Sequence, residues 1–137
     1  MGALFAAVAG CVATAAGQGG ANAEPAVQWH GHRSSVVEET LIVATSPVEW
    51  EALWARVGTP APVELPEDMI GVGIFLGVRP TAGYLIEVVS ASTANGEFVV
   101  AYGERKPSGP VAMVITYPYL IQLFPDPGVP VRIEKLS

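Results

Sequence analysis

Apolar positions in this chain follow two spacings. Trp50, Leu53, Trp54 and Val57 recur at i, i+3, i+4 and i+7, which places them on one face of a helix. Ser46–Gly58 has the ends such a helix needs. Ser46 can cap the first free N–H groups, Pro47 fits the first helical position and Glu49 completes a capping box. Gly58 is a natural stop. The two tryptophans read as the buried stripe that docks the helix on a sheet, in preference to a sugar-stacking platform.

The second spacing is that of strands. Runs rich in β-branched and apolar residues cover Ser35–Thr45, Met69–Leu76, Tyr84–Ser90, Phe98–Gly103 and Val131–Leu136. A longer run, Val111–Phe124, is broken at Tyr117-Pro118-Tyr119, because proline cannot donate to a sheet ladder. Within Met69–Leu76, one face carries Ile70, Val72, Ile74 and Leu76, and the other Met69, Gly71, Gly73 and Phe75. These glycines either leave room for the tryptophan helix or mark a bulge. Asn95-Gly96 predicts a type I′ hairpin turn. The expected fold is mainly β, an antiparallel sheet or sandwich with one packed helix, and α+β is the alternative class.

If strands 69–76, 84–90, 98–103 and 111–116 form a meander, their connections alternate between the two ends of the sheet. The Asn95-Gly96 turn then lies at one end, and loops 77–83 and 104–110 lie together at the other. Of the 7 Lys and Arg residues in the chain, Arg79, Arg105 and Lys106 fall in these two loops. Proline-stiffened loops lose less entropy on binding, so this tip is a candidate partner surface. Its residues are Arg79, Pro80, Thr81, Tyr84, Arg105 and Lys106. The arginines offer forked hydrogen bonds to carboxylates, and Tyr84 is either an aromatic anchor or a core residue.

Composition narrows the chemistry. At 137 residues and 50% hydrophobic, the chain has material for one domain with a real core. A net charge of −6 argues against nucleic acid as a partner. The single cysteine, Cys11, excludes an internal disulfide and a thiolate metal cluster. His30 and His32 in WHGH form a His-x-His pair with no further ligands beside it, so it reads as an N-terminal loop with no metal. The sequence shows no nucleophile elbow, phosphate loop or Ser/His/Asp order, and Cys11 lies outside the expected mature domain. We therefore expect no enzyme activity and no cofactor.

Residues 1–23 contain no charged residue. Ala3–Ala16 is apolar but falls short of the about 20 residues that span a membrane. It suits a signal peptide, with Ala21-Asn22-Ala23 as a cleavage site. Alternatively, Val8-Ala9-Gly10-Cys11 resembles a bacterial lipobox, which would lipidate Cys11 and leave a Gly/Ala-rich tether. Either reading predicts export, to the periplasm or to a lipid anchor on the bacterial envelope. Residues 24–137 are then one domain, and the membrane is a partner only through that anchor. No Lys or Arg precedes the apolar run.

Trp50-x-x-Leu53-Trp54, the Pro-rich connection with Asp68, FLGVRPTAGYLIEV, the Asn-Gly hairpin, the proline loop and TYPY together resemble the C-terminal domain of the PrcB family. The likeness covers about residues 46–135. Its most specific piece is Gly77-x-Arg79-Pro80-Thr81-x-Gly83-Tyr84, with Ala82 where the family commonly has glycine. The resemblance implies a non-catalytic accessory protein of the envelope, often a lipoprotein, associated with or stabilising an exported protease. Arg79–Tyr84 is also similar to a loop of chagasin-type cysteine-protease inhibitors, Asn-Pro-Thr-Thr-Gly-Tyr, at Pro, Thr, Gly and Tyr. That likeness implies a loop inserted into a protease cleft. Arg79 replaces the leading asparagine, and that family's later Gly-rich and Arg-Pro-Trp motifs have no counterpart here. A structural envelope lipoprotein is the remaining alternative.

Overall fold

A computed structural model describes residues 27–136. Its elements are β1 (Gln28–Gly31), β2 (Thr40–Ala44), α1 (Pro47–Val57), β3 (Met69–Phe75), β4 (Leu85–Ala94), β5 (Glu97–Arg105), β6 (Tyr119–Pro125) and β7 (Val131–Lys135). They form two sheets. A four-stranded sheet runs β1-β6-β3-β2, and a three-stranded sheet runs β4-β5-β7. All pairs are antiparallel except β5–β7, which is parallel. The class is mainly β, as the sequence predicts.

Helix α1 forms because its ends are satisfied. The Ser46 hydroxyl accepts from the Glu49 N–H at 3.2 Å, and Pro47 opens the first turn. The Glu49 carboxylate takes its shortest bonds from Thr45, at 2.7 Å from the backbone N–H and 2.9 Å from the hydroxyl. The capping box is thus shifted by one residue. Gly58 ends the helix in the left-handed region at φ 97°.

The buried stripe Trp50, Leu53 and Trp54 packs on the outer face of the four-stranded sheet with Phe75, Ile121 and Leu123. The opposite face of that sheet, with Ile70, Val72, Ile74 and Leu120, packs on Val100 and Tyr102 of the second sheet. Helix, sheet and sheet make three layers. The two central strands of the middle sheet, β3 and β6, are covered on both faces, which explains why β3 reads as a near-continuous apolar run. Gly71 and Gly73 lie on the helix side. A Cβ at Gly71 would collide with the Trp50 ring, and one at Gly73 would sit 2.5 Å from Leu53 Cδ1. The register through β3 is unbroken on both sides, so these glycines make room for the helix and mark no bulge. The bulge of this domain lies in β4, between Val88 and Ser90.

Three expectations need correction. WHGH lies mostly in a strand, because β1 finds a partner in β6. Ser35–Glu39 is not strand, and β2 begins at Thr40. The meander does not form: β3 and β4 belong to different sheets, and residues 111–116 make only an isolated bridge, Arg79 with Thr116. The Asn95-Gly96 turn is as expected, with φ of 54° and 80°.

The Trp50 ring is pinned by its Nε1–H donating to Val63 O at 2.8 Å, so it cannot swing away from an added methyl group. Gly71→Ala should cost about 1–3 kcal/mol, and Gly73→Ala less, because Leu53 can change rotamer. Urea unfolding followed by tryptophan fluorescence measures both, and equal losses would contradict this packing.

Candidate functional site

After β3 the chain leaves the middle sheet and crosses to the second one through Gly77–Tyr84. Arg79 fixes that crossing. Its backbone N–H and C=O exchange bonds with Thr116, at 2.8 and 2.9 Å. Its guanidinium grips Glu104 at the end of β5, Nε to Oε2 at 2.7 Å and Nη2 to Oε1 at 3.0 Å. Nη1 donates to Val78 O at 2.9 Å, and the guanidinium carbon lies 5.9 Å from the centre of the Tyr84 ring. The pair is largely buried, with side chains 21% and 11% exposed.

Neighbouring charges extend the clamp. Lys135 Nζ reaches Glu39 at 3.1 Å and Glu104 at 3.3 Å. The buried Tyr102 hydroxyl donates to Glu39 Oε2 at 2.8 Å. The Arg79 hydrogen bonds hold Glu104 below the usual glutamate range, against the opposing effect of burial. Burial pulls Glu39 up, but Tyr102 and Lys135 together bring it below that range. Burial and the Glu39 bond push the Tyr102 phenol far up, so it stays protonated as a donor.

The two expected loops do meet, though not through a meander. Gly83, at φ 95°, passes so close to the next loop that a Cβ there would sit 2.8 Å from Pro107 Cβ and 2.9 Å from Val111 Cγ1. The third member of this tip is the segment before Tyr117. Ala82 N–H donates to Ala112 O at 3.1 Å, and the Thr116 hydroxyl donates to Thr81 O at 2.9 Å.

The predicted residues divide into three groups. Arg79 is spent inside the fold, and Thr81 is half-buried in bonds to its own loop and to Thr116. Tyr84 is half-buried against the inter-sheet core. Arg105 is exposed and paired with Glu87 at 2.6 Å. Pro80 and Lys106 are exposed, and Lys106 has no carboxylate partner among the described residues. Cys11 lies outside the described residues. His30 and His32 are exposed, and no group of three or more His, Cys, Asp or Glu could hold a metal among the described residues.

Sequence reasoning missed a ridge. Met113, Val114 and Ile115 stand 85%, 51% and 59% exposed, one after another, beside exposed Val78. The run looked like a strand core. The available signal was its bracketing by Pro107, Pro110 and Pro118, none of which can donate to a ladder.

Glu104 and Glu39 have lowered folded-state values, so their contribution to stability is complete above the unfolded value near 4.5. It is lost as the pH falls below that value through the folded ones. Glu104→Gln should cost about 1.5–3 kcal/mol at neutral pH, through the lost charged hydrogen bonds, and should flatten the acid limb. Denaturant midpoints across the acid range test this, and an unchanged acid limb would exclude the clamp.

Residues 70–122 match the family model described as PrcB C-terminal. No curated protein and no solved structure matches the chain. The matched stretch runs from β3 into β6 and contains Arg79, Glu104, Lys106 and the ridge.

Proposed function

From a chain that carries a PrcB C-terminal domain over residues 70–122, we propose an exported, non-catalytic binding module that engages a protein through its tip. The role that fits this reading is that of an accessory or stabilising subunit of an envelope protease. The observation that carries it is the ridge. Three consecutive large apolar side chains in water are unfavourable unless something covers them, and such patches mark interaction sites. The ridge is also held rigid. Thr116 is bonded to Arg79, Tyr117 N–H donates to His32 O at 2.8 Å, and prolines stand on both sides. A rigid apolar edge loses little entropy on docking. The unpaired Lys106 on the adjoining loop favours a partner with an acidic rim.

This reading moves the contact away from Arg79, whose guanidinium is already engaged. Pro80, Lys106 and the ridge replace it as contact residues, with Arg105 at the margin.

Loops 77–84 and 111–116 lie side by side, which also suits insertion into a protease cleft. An inhibitor of that kind slows a papain-like cysteine protease at stoichiometric amounts, and an accessory subunit does not. A purely structural lipoprotein would carry acyl chains on Cys11 and no ridge-dependent partner.

The deciding experiment places a photo-crosslinking side chain at Met113 of the full chain in its native host. A discrete protein adduct, lost on Lys106→Glu, is expected. Adducts to lipid only would overturn the reading. Met113→Asp should leave the melting temperature within about 2 °C, because a substitution at a fully solvated site is usually worth under about 0.5 kcal/mol.

A further inference from the structure

The sandwich is one strand short. Four strands lie over three. On one side the sheets are matched, since Lys135 of β7 bonds Glu39 just before β2. On the other side β4 is an edge, and β1 extends beyond it with no strand above it among the described residues. The inner face of β1 there is polar. Gln28 and His30 are exposed, and Gln28 Nε2 donates to Gln122 Oε1 at 2.9 Å. Between the two edges lies a cleft of about 170 Å³ lined by Gln28, His30, His32, Tyr84, Glu87 and Arg105 among others.

Edge strands are normally kept short, charged or interrupted by proline. The other edges, β1, β2 and β7, are 4, 5 and 5 residues long. β4 has 10 residues, and its only charge, Glu87, is neutralised by Arg105. Its one protection is the bulge at Val89. No backbone hydrogen bond reaches residues 85–94 from any other described segment apart from β5. This free edge follows directly from the tip, since β4 begins one residue after Tyr84.

We propose that β4 receives an extended strand from the protein partner, and that this strand sets a carboxylate over the cleft. The inference rests on the reading of the tip as a protein-binding surface. Among protein segments, an extended strand is the one that pairs a row of alternating N–H and C=O groups in register. The carboxylate follows from the cleft. Arg105 bonds Glu87 through Nη2 alone, so Nε and Nη1 have no acceptor among the described residues. Two imidazoles share the site. A second copy of this chain fits poorly, because in a symmetric pair the strand it would bring is its own β4, whose one carboxylate is already engaged with its own Arg105.

The test uses the full chain and synthetic decapeptides of alternating threonine and valine, with Glu, Gln or Lys at one central position. Hydrogen exchange across residues 85–94 and binding affinity are read together. The Glu peptide is expected to slow exchange in β4 and to bind about tenfold more tightly than the Lys peptide. Arg105→Gln, at an exposed position, should abolish that preference while the fold persists. No slowing by any peptide, or equal binding of all three, would overturn the proposal. Slow exchange that depends on protein concentration without peptide would assign the edge to a second copy and also overturn it. Met113 takes no part in this measurement. Failure here beside a protein adduct at Met113 removes the added strand alone, and loss of that adduct removes the underlying reading.

Discussion

Arg79 belongs to a loop that leaves one sheet, and Glu104 belongs to a strand of the other. Their two-point bond joins the sheets at the end where the chain crosses between them. The pair is mostly out of water, so it is screened little, and each charge would be costly if left alone. Lys135 and the Tyr102–Glu39 bond tie the last strand and the segment before β2 to the same point. The position of the ridge depends on this clamp, because Thr116 is bonded to the backbone of Arg79 itself.

A second constraint acts on the opposite side of the middle sheet. Close docking of α1 needs two missing side chains in β3, and Gly71 and Gly73 supply them. The two central strands of the middle sheet are thereby buried on both faces. The second sheet is narrower and has one exposed face, so it is the layer with an edge left to offer. A division of labour fits the layer count: the inner sheet is the better buried of the two, and the outer sheet with its adjoining loops is the layer we propose as the binding surface.

Much of this was legible in the residues. The helix showed itself through its caps and its 3.6 spacing, and the hairpin through Asn95-Gly96, because both are local. The pairing of strands was not legible. β3, β4 and β5 follow one another in sequence, and neighbouring strands often pair, but Gly77–Tyr84 is long enough to change sheets. A period of two cannot report which sheet a strand joins. β1 was hidden for a related reason: the four residues Gln-Trp-His-Gly have no β signature of their own, and only pairing with β6 makes them a strand. Among the tip residues, exposure was the illegible quantity. A conspicuous Arg79 looked free because its partner lies 25 positions away, and an apolar run looked buried because apolar runs usually are.

The fate of the cations shows how the surface should be understood. Arg79, Arg105, Arg132 and Lys135 all have carboxylate partners within the domain. Acids outnumber bases in this protein, 13 to 7, and these four cations are engaged in holding loops and strands together. What remains for attraction at the tip is Lys106 and the part of the Arg105 guanidinium that Glu87 leaves unbonded. In the proposed reading, recognition rests mainly on short-range terms, apolar contact along Met113–Ile115 and main-chain bonding along β4. Both demand a partner of matching shape, and the exposed cations beside them would add a preference for acidic groups that salt screens.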